Sequence, residues 1–294
     1  MLKQSTKKDN STIAYIKHSD TDKKYFNLIK NTDKYTDSEI DKLKINVPFK
    51  IRNALIEDMP PKDEEEEKLY YKCIELLNKN KKCGFRVSKE EEIQQLPFII
   101  NNITPQKLLI VGVSGSGKST YASHFITEYK KKYKKNEFFL ISGVEEDKVL
   151  DELDPIRVDL ENLMVNPIND YNEIKDSVIL FDDTATIKNA KCRKYVQALL
   201  DDLLETHRHF NITLIITQHQ FSNYHVSRRM LNEISSTTWF NKSSNIVQLK
   251  KYLKAYHGLS EDQITKLTNI NSRWITLFKT YPNIVMSQRE IFIL

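Results

Sequence analysis

The chain reads as an α/β protein: a mostly parallel sheet flanked by helices, with a polar, partly helical extension at its N-terminal end. Three observations lead there. From about residue 97 onward, short apolar runs alternate with helical patterns, as expected of strands joined by crossover helices. Glycine is scarce, with only 6 among 294 residues, yet three of the six fall between positions 112 and 117, directly after an apolar run. Residues 1–96 are dominated by Lys, Asp, Asn, Glu and Thr, broken only by short apolar islands such as Val47 to Ile51. Little core is expected in that extension, so the main domain is placed at 97–294.

Within the extension, Asp63 to Glu67 leads into Leu69, Tyr70, Ile74, Leu76 and Leu77, a spacing that suits an amphipathic helix with acidic residues near its positive end. In the main domain, strands are expected at Lys107–Val111, Phe138–Ser142, Ser177–Phe181, Ile212–Thr217 and Thr237–Phe240. Helices are expected at Lys118–Lys134 and Asn189–His207; in the second, Tyr195, Leu199, Leu203 and Thr206 recur on one face. Apolar clusters at Trp274–Phe278, Ile284–Met286 and Ile291–Leu294 read as terminal strands that close the domain. No internal repeat of solenoid period is present.

Composition narrows the function classes. Hydrophobic residues make up 39% and charged residues 29%, and 45 Lys+Arg against 40 Asp+Glu leave a net charge of +5. That balance argues against a histone-like polycation. Cys73, Cys83 and Cys192 form no C-x-x-C pair and leave an odd thiol, which indicates neither a zinc ribbon nor a disulfide scaffold. The N-terminus lacks the apolar core of a signal peptide, and no run approaches the length of a membrane span. A soluble protein of a reducing compartment is expected.

The segment Gly112-Val113-Ser114-Gly115-Ser116-Gly117-Lys118-Ser119-Thr120 fits G-x-x-x-x-G-K-[ST] and lies between an expected strand and an expected helix, the context its chemistry requires. The glycines let successive backbone N–H groups and the helix N-terminus face an anion. Lys118 would reach the β- and γ-phosphates of a nucleotide, and Ser119 would supply a hydroxyl to magnesium. A turn that only joins strand to helix needs neither side chain. Some sixty residues later, Val178-Ile179-Leu180-Phe181 runs into Asp182-Asp183. Asp182 is assigned to the metal, and Asp183 to the base that activates an attacking water. The next strand ends in Gln218, placed to contact both the γ-phosphate and that water, while His219 is read as a surface histidine.

Among phosphate-loop proteins, guanine-specific ones read their base with N-K-x-D, and Asn241-Lys242-Ser243-Ser244 lacks the aspartate. No switch-type D-x-x-G follows Asp182, and no L-S-G-G-Q-like run exists. These gaps disfavour GTPases and ABC-type ATPases. A small-molecule or nucleotide kinase stays open, with Arg228 and Arg229 as lid arginines.

Gly112 to Thr120, the doublet Asp182-Asp183 and the run Arg208-His209-Phe210-Asn211-Ile212-Thr213-Leu214-Ile215-Ile216-Thr217-Gln218 together resemble the A32-type genome-packaging ATPases of large DNA viruses and virophages, in the FtsK/HerA branch of P-loop NTPases. The resemblance covers roughly residues 97–245. It implies a RecA-like (ASCE) core, ATP and Mg2+, a homo-oligomeric ring, double-stranded DNA as the translocated polymer, a capsid or portal partner, and a place in the host cytoplasm's viral factory or in the virion. It also implies that Arg208 reaches the nucleotide of the neighbouring subunit. Many relatives carry Glu where this chain has Asp183, and the first 96 residues match nothing in that family.

A motor of this kind must hold the DNA backbone without reading sequence. The candidate contacts are Lys188, Lys191, Arg193 and Lys194 after the Asp182-Asp183 strand, and Tyr224, His225, Arg228 and Arg229 after the Gln218 strand. Both groups are expected at the carboxyl edge of the sheet. The run Lys130 to Lys135 reads as a solvated helix face.

Overall fold

The structure, a computed structural model, describes residues 2–8, 12–17, 23–28, 35, 37–41, 43, 45–57, 59–78, 84–88, 91–97, 105–221, 227–241, 245–280 and 282–294. Its first part holds β1 (Leu2–Ser5), β2 (Thr12–Lys17), β3 (Lys23–Leu28), α1 (Asp37–Ile40), α2 (Phe49–Glu57), α3 (Glu64–Asn78), β4 (Gly84–Arg86) and β5 (Ile93–Gln95). The central part runs β6 (Lys107–Val111), α4 (Lys118–Lys132), β7 (Glu137–Ser142), α5 (Lys148–Asp151), β8 (Ile156–Arg157), α6 (Leu160–Val165), β9 (Ser177–Asp182), α7 (Ala190–Thr206) and β10 (Thr213–Gln218). The chain closes with α8 (Ser227–Glu233), β11 (Ser236–Trp239), α9 (Ile246–His257), α10 (Glu261–Thr268), β12 (Ile275–Phe278), β13 (Ile284–Ser287) and β14 (Glu290–Ile293).

Among the described residues, ten strands form one sheet in the order β4-β14-β13-β12-β11-β6-β10-β9-β7-β8. The run from β11 to β8 is parallel, and β12, β13, β14 and β4 extend it in antiparallel fashion. This is a P-loop NTPase fold with the RecA-like insertion of one strand, β10, between the phosphate-loop strand β6 and the acidic strand β9. The parallel strands are near-continuous apolar runs because helices cover both of their faces. Leu108 and Ile110 of β6 pack with Tyr121, Ala122, Phe125 and Ile126 of α4. Leu109 and Val111 point the other way, into the cluster that holds Val196, Leu199, Leu200 and Leu203 of α7.

The N-terminal part departs from expectation. Its helix over α3 is present, but β1, β2, β3 and β5 form a four-stranded sheet in the order β1-β3-β2-β5. Leu2, Ile13, Ile16, Phe26 and Ile93 from that sheet share a core with Phe278, Ile284, Met286 and Ile291 of the terminal strands. A second cluster, with Ile40, Ile51, Leu55, Tyr70 and Cys73, holds α1, α2 and α3 together. This core is hard to read from sequence because the strands are only three to six residues long and several interleave lysines with their buried positions, as in Lys-Lys-Tyr-Phe-Asn-Leu. Strand β4 also crosses the expected boundary, pairing with β14 in the main sheet.

Candidate active site

After Val111 the chain turns through Gly112–Gly117 into α4. Gly117, the N-cap, has φ of 108°, in the left-handed region where a β-carbon is strained. Lys118 opens the helix only 7% exposed. Its Nζ donates to the carbonyl of Gly112 at 3.0 Å and approaches that of Val113 at 3.5 Å, so the ammonium lies folded over the loop. Ser119 Oγ donates to Asp147 Oδ2 at 2.9 Å. The other oxygen of Asp147 caps α5 by accepting from the N–H groups of Val149 and Leu150. Ser116 Oγ is buried without a hydrogen-bond partner.

The inserted strand β10 ties the loop to the acidic pair. The N–H of Gly112 donates to the carbonyl of Gln218 at 3.0 Å. One residue earlier, Thr217 Oγ1 donates to Asp182 Oδ1 at 2.7 Å and accepts from the Asp183 N–H at 3.0 Å. Asp182 is 4% exposed. Burial raises its carboxyl above the ordinary carboxylate range, the charges of Asp183 and Asp147 push the same way, and the Thr217 bond and Lys118 oppose the shift. A buried carboxylate raised in this way is suited to a cation.

Asp183 takes φ of 43°, a left-handed conformation that costs a non-glycine residue roughly 1–2 kcal/mol. Its Oδ1 is buried without a partner, and its Oδ2 lies 3.1 Å from His219 Nε2. His219 is exposed, as expected of a surface histidine, and its ring also reaches the Asp183 carboxylate. Beneath this turn, Gly143 follows β7 so closely that a β-carbon there would collide with Thr186 Oγ1 and come within 3.1 Å of the Asp183 carbonyl. The side-chain amide of Gln218 lies against Met230 Sδ, at 3.8 Å.

Ser119, Asp182 and the nearby Asp147 could hold magnesium with phosphate oxygens completing its shell, since this ion is usually bound through one or two carboxylates and substrate phosphates. Among the described residues no three His, Cys, Asp or Glu side chains group to hold a metal by themselves.

Other expected residues lie apart. Arg208 precedes β10 at the opposite edge of the sheet from the loop, and the length of that strand alone is about 16 Å. It is exposed and out of reach of its own phosphate loop. Lys188, Lys191 and Lys194 are exposed around the start of α7, at the carboxyl edge. Arg193 instead donates from Nη1 to the Ile187 carbonyl at 2.6 Å. Arg228 is exposed on α8, whereas Arg229 turns back to Glu205 near the end of α7, with 3.3 Å between Nε and Oε1. Tyr224 and His225 lie outside the described residues. In the Lys130 to Lys135 run, Lys130 and Lys132 donate to the carbonyls of Leu153 and Pro97, so this face is partly tethered.

Sequence reasoning missed Thr217, Asp147, Gly143 and Arg273. The Arg273 guanidinium donates to the Ser116 carbonyl from Nε at 3.3 Å and Nη2 at 3.2 Å. No spacing rule links these residues to the loop, because sheet order brings them together.

Comparison with known proteins follows the same segment of chain. A family profile described as Zonular occludens toxin (Zot) matches residues 108–285. Protein V3 of Sputnik virophage, itself uncharacterised, is 38% identical over 184 residues, covering 62% of this chain and 74% of V3. The signal recognition particle receptor FtsY of Buchnera aphidicola is 28% identical over 174 residues, 57% of this chain and 40% of FtsY. The chain thus spans less than half of FtsY. Among solved structures, the genome packaging NTPase B204 of Sulfolobus turreted icosahedral virus 2, in complex with ATP-gammaS, is similar at a TM-score of 0.41 and 15% identity, covering 65% of this chain and 98% of B204. No helix among the described residues is long and apolar enough to cross a membrane.

Proposed function

The chain belongs to the Zonular occludens toxin (Zot) family, and from that premise we propose that it is a magnesium-dependent ATPase that translocates double-stranded DNA, in the manner of a viral genome-packaging motor. The observation that carries the reading is Thr217, whose hydroxyl ties Asp182 and the Asp183 backbone to the strand that also holds the phosphate loop. A protein that only bound nucleotide would have no need of a second carboxylate held in a strained turn beside a buried one.

In this reading the loop N–H groups and Lys118 hold the phosphates, and Lys118 stabilises charge that grows on the γ-phosphoryl oxygens. Ser119 and Asp182 would hold magnesium, whose charge would offset that of the phosphates. Asp183 Oδ1, buried and unpartnered, takes the proton of the attacking water, and Gln218 orients that water. Arg208 cannot serve its own site, and in a homo-oligomeric ring it supplies the guanidinium for the neighbouring one. Lys188, Lys191 and Lys194, with Arg193 and Arg228 beside them in role, form the backbone-holding surface for DNA. Arg229 contributes less, being paired to Glu205. The relationship to a virophage protein supports a viral setting; in this reading the motor packages DNA with a capsid or portal component as partner, in the viral factory or the virion.

The test is the fate of the γ-phosphoryl group. Phosphate release from ATP that needs magnesium and rises when linear double-stranded DNA is added supports the reading. Transfer to an added nucleoside or nucleotide, with DNA inert, would assign a kinase instead.

A further inference from the structure

The order of strands gives the bound nucleotide a direction. The acidic pair and Thr217 lie on the β9 and β10 side of the phosphate loop, so the γ-phosphate end of a nucleotide belongs there. Its nucleoside end must leave on the other side, where β11 and β12 neighbour β6. On that side lies a cavity of about 130 Å³, lined by Gly117 and Thr120 of the loop and first helical turn, by Phe240 after β11, and by Arg273 and Trp274 before β12. That is roughly ten times the room one ordered water needs.

Further along α4, Tyr121, His124 and Phe125 line the cavity, and the N-terminal part closes it with Glu92 to Gln95. Gln95, at the end of β5 and 7% exposed, borders the same cavity. The Tyr121 hydroxyl donates to Gln95 Oε1 and also bonds Thr276 Oγ1 at 2.7 Å. This fixes which way the amide faces. Its Nε2 is buried and has no hydrogen-bond partner. A buried amide donor left unpaired is costly, and natural proteins rarely retain one without a use.

We propose that this cavity is the base subsite and that Gln95, from outside the 108–285 segment matched to the family, donates through Nε2 to a ring nitrogen of the adenine. The proposal rests on the nucleotide reading above. It makes the N-terminal sheet part of the ATP site: the amide's carbonyl already accepts from Tyr121 and its unpaired group is the N–H, so it pairs with an acceptor on the edge of the ring. Trp274 and Phe240 supply the apolar surface such a ring needs.

The experiment is calorimetric titration of the full chain with ATP, with inorganic tripolyphosphate, and with 1-, 3- and 7-deaza-ATP, each lacking one ring acceptor. Gln95→Glu keeps the acceptor for Tyr121 and removes the N–H. It should weaken ATP about three- to tenfold, the range for one net hydrogen bond, and leave tripolyphosphate unchanged. One deaza analogue should show the same loss with the wild type and no further loss with Gln95→Glu. ATP, but not tripolyphosphate, should change the fluorescence of Trp274, a signal absent from Trp274→Phe. The proposal is overturned if Gln95→Glu binds ATP as the wild type does, or if it loses ATP and tripolyphosphate alike. Lys118→Ala separates the two readings: binding of ATP and tripolyphosphate as tight as in the wild type would sink the nucleotide site itself, whereas Lys118-dependent binding that ignores Gln95 would sink the base subsite alone.

Discussion

Replacing Thr217 with valine removes one hydroxyl and leaves a side chain of nearly the same shape, so its consequences isolate two hydrogen bonds. The bond donated to Asp182, 2.7 Å long, ends on a carboxylate and is worth about 1.5–3 kcal/mol; the one accepted from the Asp183 N–H, at 3.0 Å, is worth about 0.5–1.5 kcal/mol. Asp182 is buried and cannot recover its bond from bulk water. The expected loss of stability is therefore about 2–4 kcal/mol, or a fall in melting temperature of roughly 5–10 °C for a domain of this size. Loss of the donor also pushes the Asp182 carboxyl further up, because the Thr217 bond is the largest influence holding it down. Hydrolysis should fall by about tenfold or more even below the new melting temperature, since both carboxylates lose their tether. Thr217→Ser keeps both bonds and should stay near wild type in each respect. Thermal melts by circular dichroism and steady-state phosphate release measure the two effects. A valine variant that melts and hydrolyses like the wild type, or a serine variant as impaired as valine, would refute the bridging role.

Gly143→Ala should displace the Asp183 turn and reduce hydrolysis at least tenfold, because the new methyl meets Thr186 and the Asp183 carbonyl; unchanged turnover would show that this turn has slack. Asp183→Asn should keep ATP affinity while lowering hydrolysis about a hundredfold or more, and full activity would move the base elsewhere. Arg208→Ala and Lys118→Ala subunits should each be nearly inactive alone and recover part of the activity when mixed; assembly without recovery would remove Arg208 from the trans-acting role. His207 is buried with Nδ1 2.9 Å from the Ile212 carbonyl, and burial lowers its pKa to about 4. Its neutral form is compatible with the fold, so stability is complete above the unfolded value near 6.5. It is lost as pH falls toward 4, by up to about 3 kcal/mol. Urea unfolding at pH 7 and pH 5, with His207→Gln as the comparison, measures this, and identical pH slopes in the two proteins would contradict it.

What could be read in advance was what lies close together in the chain. The phosphate loop, the Asp182-Asp183 doublet and the apolar runs of β6, β9 and β10 are contiguous, and their spacing carries their meaning. The likeness to packaging ATPases of large DNA viruses and virophages is matched by the relationship to a Sputnik virophage protein. Arg273 could not be read this way: it stands alone before a strand and gains its meaning only because β12 lies two strands from β6. The same holds for His219, which follows β10 while its partner Asp183 follows β9, and for Asp147, which meets Ser119 across a crossover. The N-terminal sheet escaped notice because one-sided burial leaves its short strands rich in lysine, and β8, two residues long, carries no periodicity at all.

Movement along DNA is tested most directly by displacement of a fluorescent third strand from a triplex at one end of a linear duplex. With ATP and magnesium, the protein should release the third strand after a lag that lengthens with the distance it must travel. Lys118→Ala, or a non-hydrolysable analogue, should release none. Displacement that needs no ATP, or ATP hydrolysis that DNA stimulates without any displacement from assembled protein, would contradict a translocating motor.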